Sequence, residues 1–171
     1  MKKILETDRL FLRQFELNDA QSFFGLNEDT EVIKFTGDSA FNSVETAENF
    51  LKSYNHYEQY GFGRWAVILK HDDAFAGWCG LKYTPEKDEV DLGFRFFKKY
   101  WNNGYATEVA TACIDYGFNQ LGLTKIVGRV MNENIASIKV LTRVGMKFEK
   151  DYDFHGHEGS CYAIYKNEMK R

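Results

Sequence analysis

The chain has 171 residues, 44% of them hydrophobic and 16% aromatic, with a formal net charge of −3. That length fits one domain with a sizeable core, and the apolar content excludes an intrinsically disordered chain. The mildly acidic balance gives no reason to expect a nucleic-acid partner, and no apolar run is long enough to cross a membrane.

The opening "MKKILETDRLFLRQF" places only two apolar residues between its lysines and Glu6, too few for a secretory leader. Residues 8–15, "DRLFLRQF", alternate apolar and polar and read as a strand. Asn18 is placed to cap a short helix carrying Ala20, Phe23, Phe24 and Leu26. A second helix is expected over 42–61, opened by Ser43, with Val44, Ala47, Phe50, Leu51 and Tyr54 on one face. The period then drops to two. Residues 63–70, 74–83 and 89–97 read as three strands of an antiparallel meander, joined by turns at "HDDA" and "TPEKD". From Tyr105 helical spacing returns with Ala106, Val109, Ala110, Cys113, Tyr116 and Gly117. Residues 124–131 form a strand, and 134–145 a helix between an Asn134 cap and a Gly145 stop. Residues 146–154 and 160–169 close the chain as a hairpin around "HGHEG". The order β-α-α-β-β-β-α-β-α-β-β is mixed α/β in one domain spanning 1–171, with a crossover between parallel strands across 90–131.

The three cysteines, Cys79, Cys113 and Cys161, are far apart and odd in number. They read as reduced, buried thiols of a cytoplasmic protein. His155 and His157 flank Gly156 without further ligands at a recognised spacing, so no metal site is expected. Phe35, Trp65, Trp78 and Tyr83 are candidates either for an acceptor pocket or for the core.

"WNNGYAT", residues 101–107, follows a strand and opens a helix. The first N–H groups of a helix have no internal partner and bind phosphate when they converge on one point. Such a nest needs positive φ, which glycine permits freely and asparagine tolerates best among the rest. An ordinary capped turn satisfies the same letters. "NENIAS" likewise fits a helix cap and first turn, with Asn134 and Ser137 three residues apart.

Taken together, four segments resemble the GNAT superfamily of acyl-CoA-dependent N-acetyltransferases, and within it the RimJ/RimL-like, ribosomal-protein-type N-terminal acetyltransferases. They are "TDRLFLR" (7–13), "DLGF" (91–94), "WNNGYATEV" (101–109) and "NIASIKVLTRVGM" (134–146), in order across nearly the whole chain. Three positions depart from the superfamily pattern: Trp101 stands at the loop's first position where arginine or glutamine is usual, as is common in this branch, Asn102 where a glycine is usual, and Leu141 where other branches carry a tyrosine acid.

The resemblance implies a central, mostly antiparallel twisted sheet of about seven strands with about four flanking helices, and one parallel pair splayed at the cofactor site. It implies acetyl-CoA as co-substrate and an amine acceptor as the other partner, in a monomer or homodimer. The pyrophosphate would lie on the loop Trp101, Asn102, Asn103, Gly104, Tyr105, Ala106 and Thr107. The pantetheine arm would run along Phe94, Arg95 and Phe96 and meet Asn134 and Ser137. Asp91 is the candidate base, with Glu89 on the same strand face, and Ser137 the candidate donor to the leaving thiolate. A non-enzymatic acyl-CoA sensor would use the same binding features.

Overall fold

The computed structural model describes residues 1–169 and contains one eight-stranded sheet. Its strands are β1 (Lys3–Glu6), β2 (Leu10–Arg13), β3 (Arg64–Leu69), β4 (Phe75–Thr84), β5 (Glu89–Phe96), β6 (Lys125–Met131), β7 (Lys147–Phe154) and β8 (His157–Tyr165). Their spatial order is β1-β2-β3-β4-β5-β6-β8-β7. Neighbours are antiparallel except β5 and β6, which run parallel. The helices are α1 (Ala20–Glu28), α2 (Thr30–Ile33), α3 (Val44–Ser53), α4 (His56–Tyr60), α5 (Tyr105–Asn119) and α6 (Ile135–Arg143).

α5 is the crossover between the parallel strands and packs on β4 and β5. The main core lies on that face, where Leu12, Trp65, Val67, Leu81, Val109 and Phe118 are buried together. The opposite face is covered by α1 and α3 through Ala20, Phe23, Ala47 and Leu51. β2 shows how the strand period serves both layers. Leu10 and Leu12 enter the main core, while Phe11 turns to the other face beside Ala66 and Ile68. Arg13 closes the strand with two bonds to Asp19, at 2.8 and 2.7 Å, a buried pair that ties β2 to the start of α1.

Four expectations shift. β1 adds a strand at the N-terminal edge of the sheet, where the sequence offers no alternation. The helix expected over 42–61 is two helices, because Tyr54 leaves helical geometry at ψ 102°. The two tyrosines at the break reach β3 instead: Tyr54 Oη accepts the Arg64 N–H at 2.7 Å, and the Tyr57 hydroxyl donates to the Arg64 carbonyl. The final hairpin is tighter than read, turning at His155 and Gly156, both with positive φ, so that β8 begins at His157. Asn18 does not cap α1. It lies within a short 3-10 turn, Leu17–Asp19, and Asp19 takes the Glu16 N–H at 2.8 Å.

Candidate active site

Among the described residues, β5 and β6 meet at one bridge, Asp91 with Val127, and separate beyond it. β5 stays paired to β4 throughout, from Thr84 and Glu89 to Gly77 and Phe96. Antiparallel pairs alternate between bonded and unbonded, and the 3.1 Å bond from Phe97 N–H to the Ala76 carbonyl sets the phase. Gly93 and Arg95 therefore turn their backbone groups toward β4, whereas Phe94 and Phe96 turn theirs toward the gap. Trp101 Nε1–H occupies the Phe96 carbonyl at 2.9 Å. The Phe94 N–H and C=O and the Phe96 N–H are left facing the opening.

The loop from β5 to α5 has the backbone its sequence suggests, with φ +63° at Asn102 and +77° at Gly104. No side chain caps α5. The Asn103 side-chain amide instead donates back to the carbonyls of Tyr100 (3.0 Å) and Trp101 (2.9 Å), fixing the loop. The first N–H groups of a fifteen-residue helix thus stay available for an anion. α5 is anchored from the other end of the sequence. Glu108 accepts the Thr7 hydroxyl at 2.6 Å, the Arg9 N–H at 3.0 Å and Arg9 Nε at 2.7 Å. Arg9 also lies over the Tyr105 ring, 4.5 Å from its centroid.

α6 behaves differently at its start, since Asn134 Oδ1 accepts the Ser137 N–H at 3.2 Å and caps it. Asn134, Ser137 and Leu141 share the side of α6 that lines a cavity of about 820 Å³. The cavity continues through the gap past Leu92, Gly93 and Phe94 to the far face of the sheet, where Phe41, Tyr54 and Trp78 line it.

On that far face Asp91 is held between two arginines, Arg64 at 2.6 Å and Arg129 at 3.2 Å. Arg129 also bonds Glu89 at 2.8 Å, so both acids of β5 share one cation. Arg64 reaches Asp91 by crossing β4 and β5, donating on the way to the Gly80 carbonyl at 2.8 Å and the Asp91 carbonyl at 2.9 Å. It can do so because Gly80 and Gly93 are opposite each other. A Cβ at Gly93 would lie 2.7 Å from the Arg64 Cζ.

The acetyltransferase (GNAT) domain family matches residues 9–147. The chain belongs to the GNAT acetyltransferase family. It is 32% identical over 174 residues to YoaA of Bacillus subtilis (strain 168), an uncharacterized N-acetyltransferase, across 97% of this chain and 98% of that one. It is 31% identical over 181 residues to the FsC-acetyl coenzyme A-N(2)-transacetylase of Aspergillus fumigatus, across 97% of this chain and 74% of that one. A solved GNAT-family acetyltransferase from Bacillus anthracis shares the fold at a TM-score of 0.83 and 26% identity, across 96% of this chain and 99% of that one.

In this acetyltransferase, Phe94, Asp91, Asn134 and Ser137 of the residues singled out from the sequence line the one cavity, whereas Phe96 and the loop 101–107 do not. Phe94 and Phe96 edge the gap, Trp101 to Thr107 form the loop and first turn of α5, and Asn134 and Ser137 stand on α6. Arg95 lines it too, but not from the edge of the gap. Its backbone faces β4, and its side chain crosses to the α1 side, bonding Asn27 Oδ1 and Asp38 at 2.8 Å. Phe35 and Trp78 line the cavity, whereas Trp65 is core and Tyr83 borders a separate groove.

The sequence reading missed Arg64 and Arg129, which lie 27 and 38 residues from Asp91 in the chain. The one local hint was Gly93, since a glycine inside a strand marks a close approach. It also missed Thr7, Arg9 and Glu108 as a clamp. All three cysteines of the GNAT chain are free and buried. The Sγ atoms of Cys79 and Cys113 lie 3.7 Å apart. Their contact and their burial push the Cys113 thiol up, away from the thiolate form a nucleophile needs.

Proposed function

We propose that this acetyltransferase moves the acetyl group of acetyl-CoA onto a primary amine by direct attack, with both substrates bound, in the manner of RimJ/RimL-like enzymes. One observation carries the reading: a single cavity joins the two faces of the sheet through the gap between β5 and β6. Acetyl-CoA approaches from the α5–α6 side and the amine from the α1–α3 side. The reacting atoms meet beside Phe94.

The pyrophosphate rests on the N–H groups of residues 102–107, where nothing within the helix competes for them. The pantetheine arm pairs with the open edge of β5 at Phe94 and Phe96, and with the Asn134 side-chain amide. An amine must lose a proton before it attacks. The cations surrounding Asp91 disfavour the ammonium form, and Asp91, through a water molecule, takes the proton. The amine nitrogen bonds to the thioester carbon, and charge develops on the carbonyl oxygen, which the Phe94 N–H meets. The C–S bond then breaks. The thiolate accepts a hydrogen bond from the Ser137 hydroxyl, since Leu141 offers none, and takes up the second proton shed by the attacking nitrogen, giving free CoA and the neutral N-acetyl product.

The test is release of the CoA thiol on incubation with acetyl-CoA and a panel of small amines and N-terminal peptides. Amine-dependent release with a matching N-acetyl product is the expected result. Acetyl-CoA binding without release across the whole panel would overturn the reading.

A further inference from the structure

Charge is sorted unevenly in the cavity, and on one side of it. Arg64, Arg95 and Arg129 line the face covered by α1 and α3, with Lys82 and Lys87. Against these five cations the cavity wall sets two carboxylates, Asp38 and Asp91. The chain as a whole carries −3, so this concentration runs against the average. None of the five belongs to the loop 101–107 or to α6, where the anionic half of acetyl-CoA is proposed to lie.

Arg64 and Arg129 are occupied by Asp91 and Glu89. The others are less fully satisfied. Lys82 and Lys87 enter no ion pair among the described residues, and Lys87 stands 5.3 Å from the Tyr152 ring centroid. Arg95 is the most exacting case. Its guanidinium is buried over Trp78, 5.2 Å from the ring centroid, and its one charged partner is the exposed Asp38. Among the described residues, Arg95 Nε is the buried side-chain nitrogen or oxygen left without a hydrogen-bond partner. An unmet buried donor on a charged group is costly, and a ligand that supplies the acceptor removes the deficit.

We infer that the acceptor is an amine that also carries a carboxylate, held at Arg95 while its amino end faces Asp91. This rests on the transfer reading above and names its substrate class. A polyamine is the opposite case, since each further ammonium would meet the same cations unpaired.

The experiment uses glycine, diglycine and triglycine, each as the free acid and as the C-terminal amide, with spermidine alongside. CoA release gives kcat/KM for each. A charge-assisted contact predicts that at least one free acid exceeds its own amide by about tenfold to a hundredfold, with spermidine poorest. In Arg95→Gln that acid-to-amide ratio falls toward one. Should that variant fail to fold, Arg95→Lys, which keeps the charge but lacks the unmet Nε donor, must lower the same ratio. Amides and spermidine turning over as well as the acids at every length would overturn the inference and leave amine acetylation standing. So would a ratio that neither substitution moves. No turnover with any of them or with the wider amine panel would remove the transfer reading, and this inference with it.

Discussion

Replacing Gly93 by alanine isolates the arginine that crosses the sheet. In a strand with open space this change stabilises by about 0.5–1 kcal/mol, because glycine gives up more freedom on folding. Here the new Cβ would stand 2.7 Å from both Cζ and Nη2 of Arg64, and 3.0 Å from Nη1. The guanidinium must swing away and release Asp91 Oδ1 (2.6 Å), the Gly80 carbonyl (2.8 Å) and the Asp91 carbonyl (2.9 Å). The Arg64 and Asp91 side chains are 16% and 13% exposed, so water replaces those bonds poorly. Hydrogen bonds to charged groups contribute about 1.5–3 kcal/mol each, and they are not additive. Asp91 keeps Arg129, and Arg64 can turn toward solvent, which limits the damage to about 2–3 kcal/mol before the gain from alanine. The net loss of about 1–2 kcal/mol corresponds to a fall in Tm of about 2–8 °C for a domain of this size. Turnover should suffer more than stability, by about tenfold or more in kcat/KM, because Asp91 loses its fixed position. Thermal melts and CoA-release kinetics measure both. The pair Gly93→Ala with Arg64→Gln should cost little more than Arg64→Gln alone. A raised Tm with unchanged kinetics, or losses that simply add, would refute the account.

Glu108→Gln should loosen α5 from β2 in a pH-dependent way. Burial alone would raise the Glu108 carboxyl, but the Thr7 hydroxyl and the Arg9 N–H and guanidinium outweigh it and hold it below its ordinary value. That stabilisation is present above the ordinary carboxylate range and is lost as pH falls through the lowered value. The Tm gap between wild type and variant is therefore widest near neutrality and closes below about pH 4. Asn102→Gly should leave the KM for acetyl-CoA nearly unchanged, whereas Gly104→Val, at φ +77°, should raise it about tenfold through backbone strain of about 1–3 kcal/mol. Asp91→Asn should lower kcat/KM by about a hundredfold or more; a rate unchanged at all pH values would end the proton-acceptor role. Ser137→Ala should lower kcat with little change in KM, and a rate equal to wild type would remove it from the leaving-group step.

The elements with strong local signals were readable from the letters alone. α6 lies between its Asn134 cap and Gly145 (φ +99°), and α5 begins at Tyr105 directly after the Asn-Asn-Gly step. The meander of β3, β4 and β5 follows from its period of two. β1 was invisible because its four residues expose both ends and are defined by pairing with β2. The break at Tyr54 was hidden because Tyr54 and Tyr57 keep facing the same layer on either side of it, so the apolar spacing continues while the backbone does not. At the site, the loop and the Asn134 turn were local and therefore readable. The partners of Asp91 were not, because Arg64 and Arg129 arrive from other strands. Arg95 was misplaced for a related reason. Its neighbours Phe94 and Phe96 edge the gap, but the phase of β4 pairing turns the intervening residue, backbone and side chain alike, to other duties.

The passage between β5 and β6 has a consequence for traffic. A pocket with one mouth makes its visitors queue, so the first to enter must also be the last to leave. Here the Asn134–Ser137 side and the Phe41–Tyr54 side open into the same chamber from opposite faces of a wall. With one substrate proposed on each face, access imposes no order of arrival. Each doorway can also be remodelled separately. At the α1–α3 doorway Gly37 packs close to the hairpin tip, where an added Cβ would stand 2.5 Å from the His155 ring, so a side chain there would reshape that doorway without touching the far one.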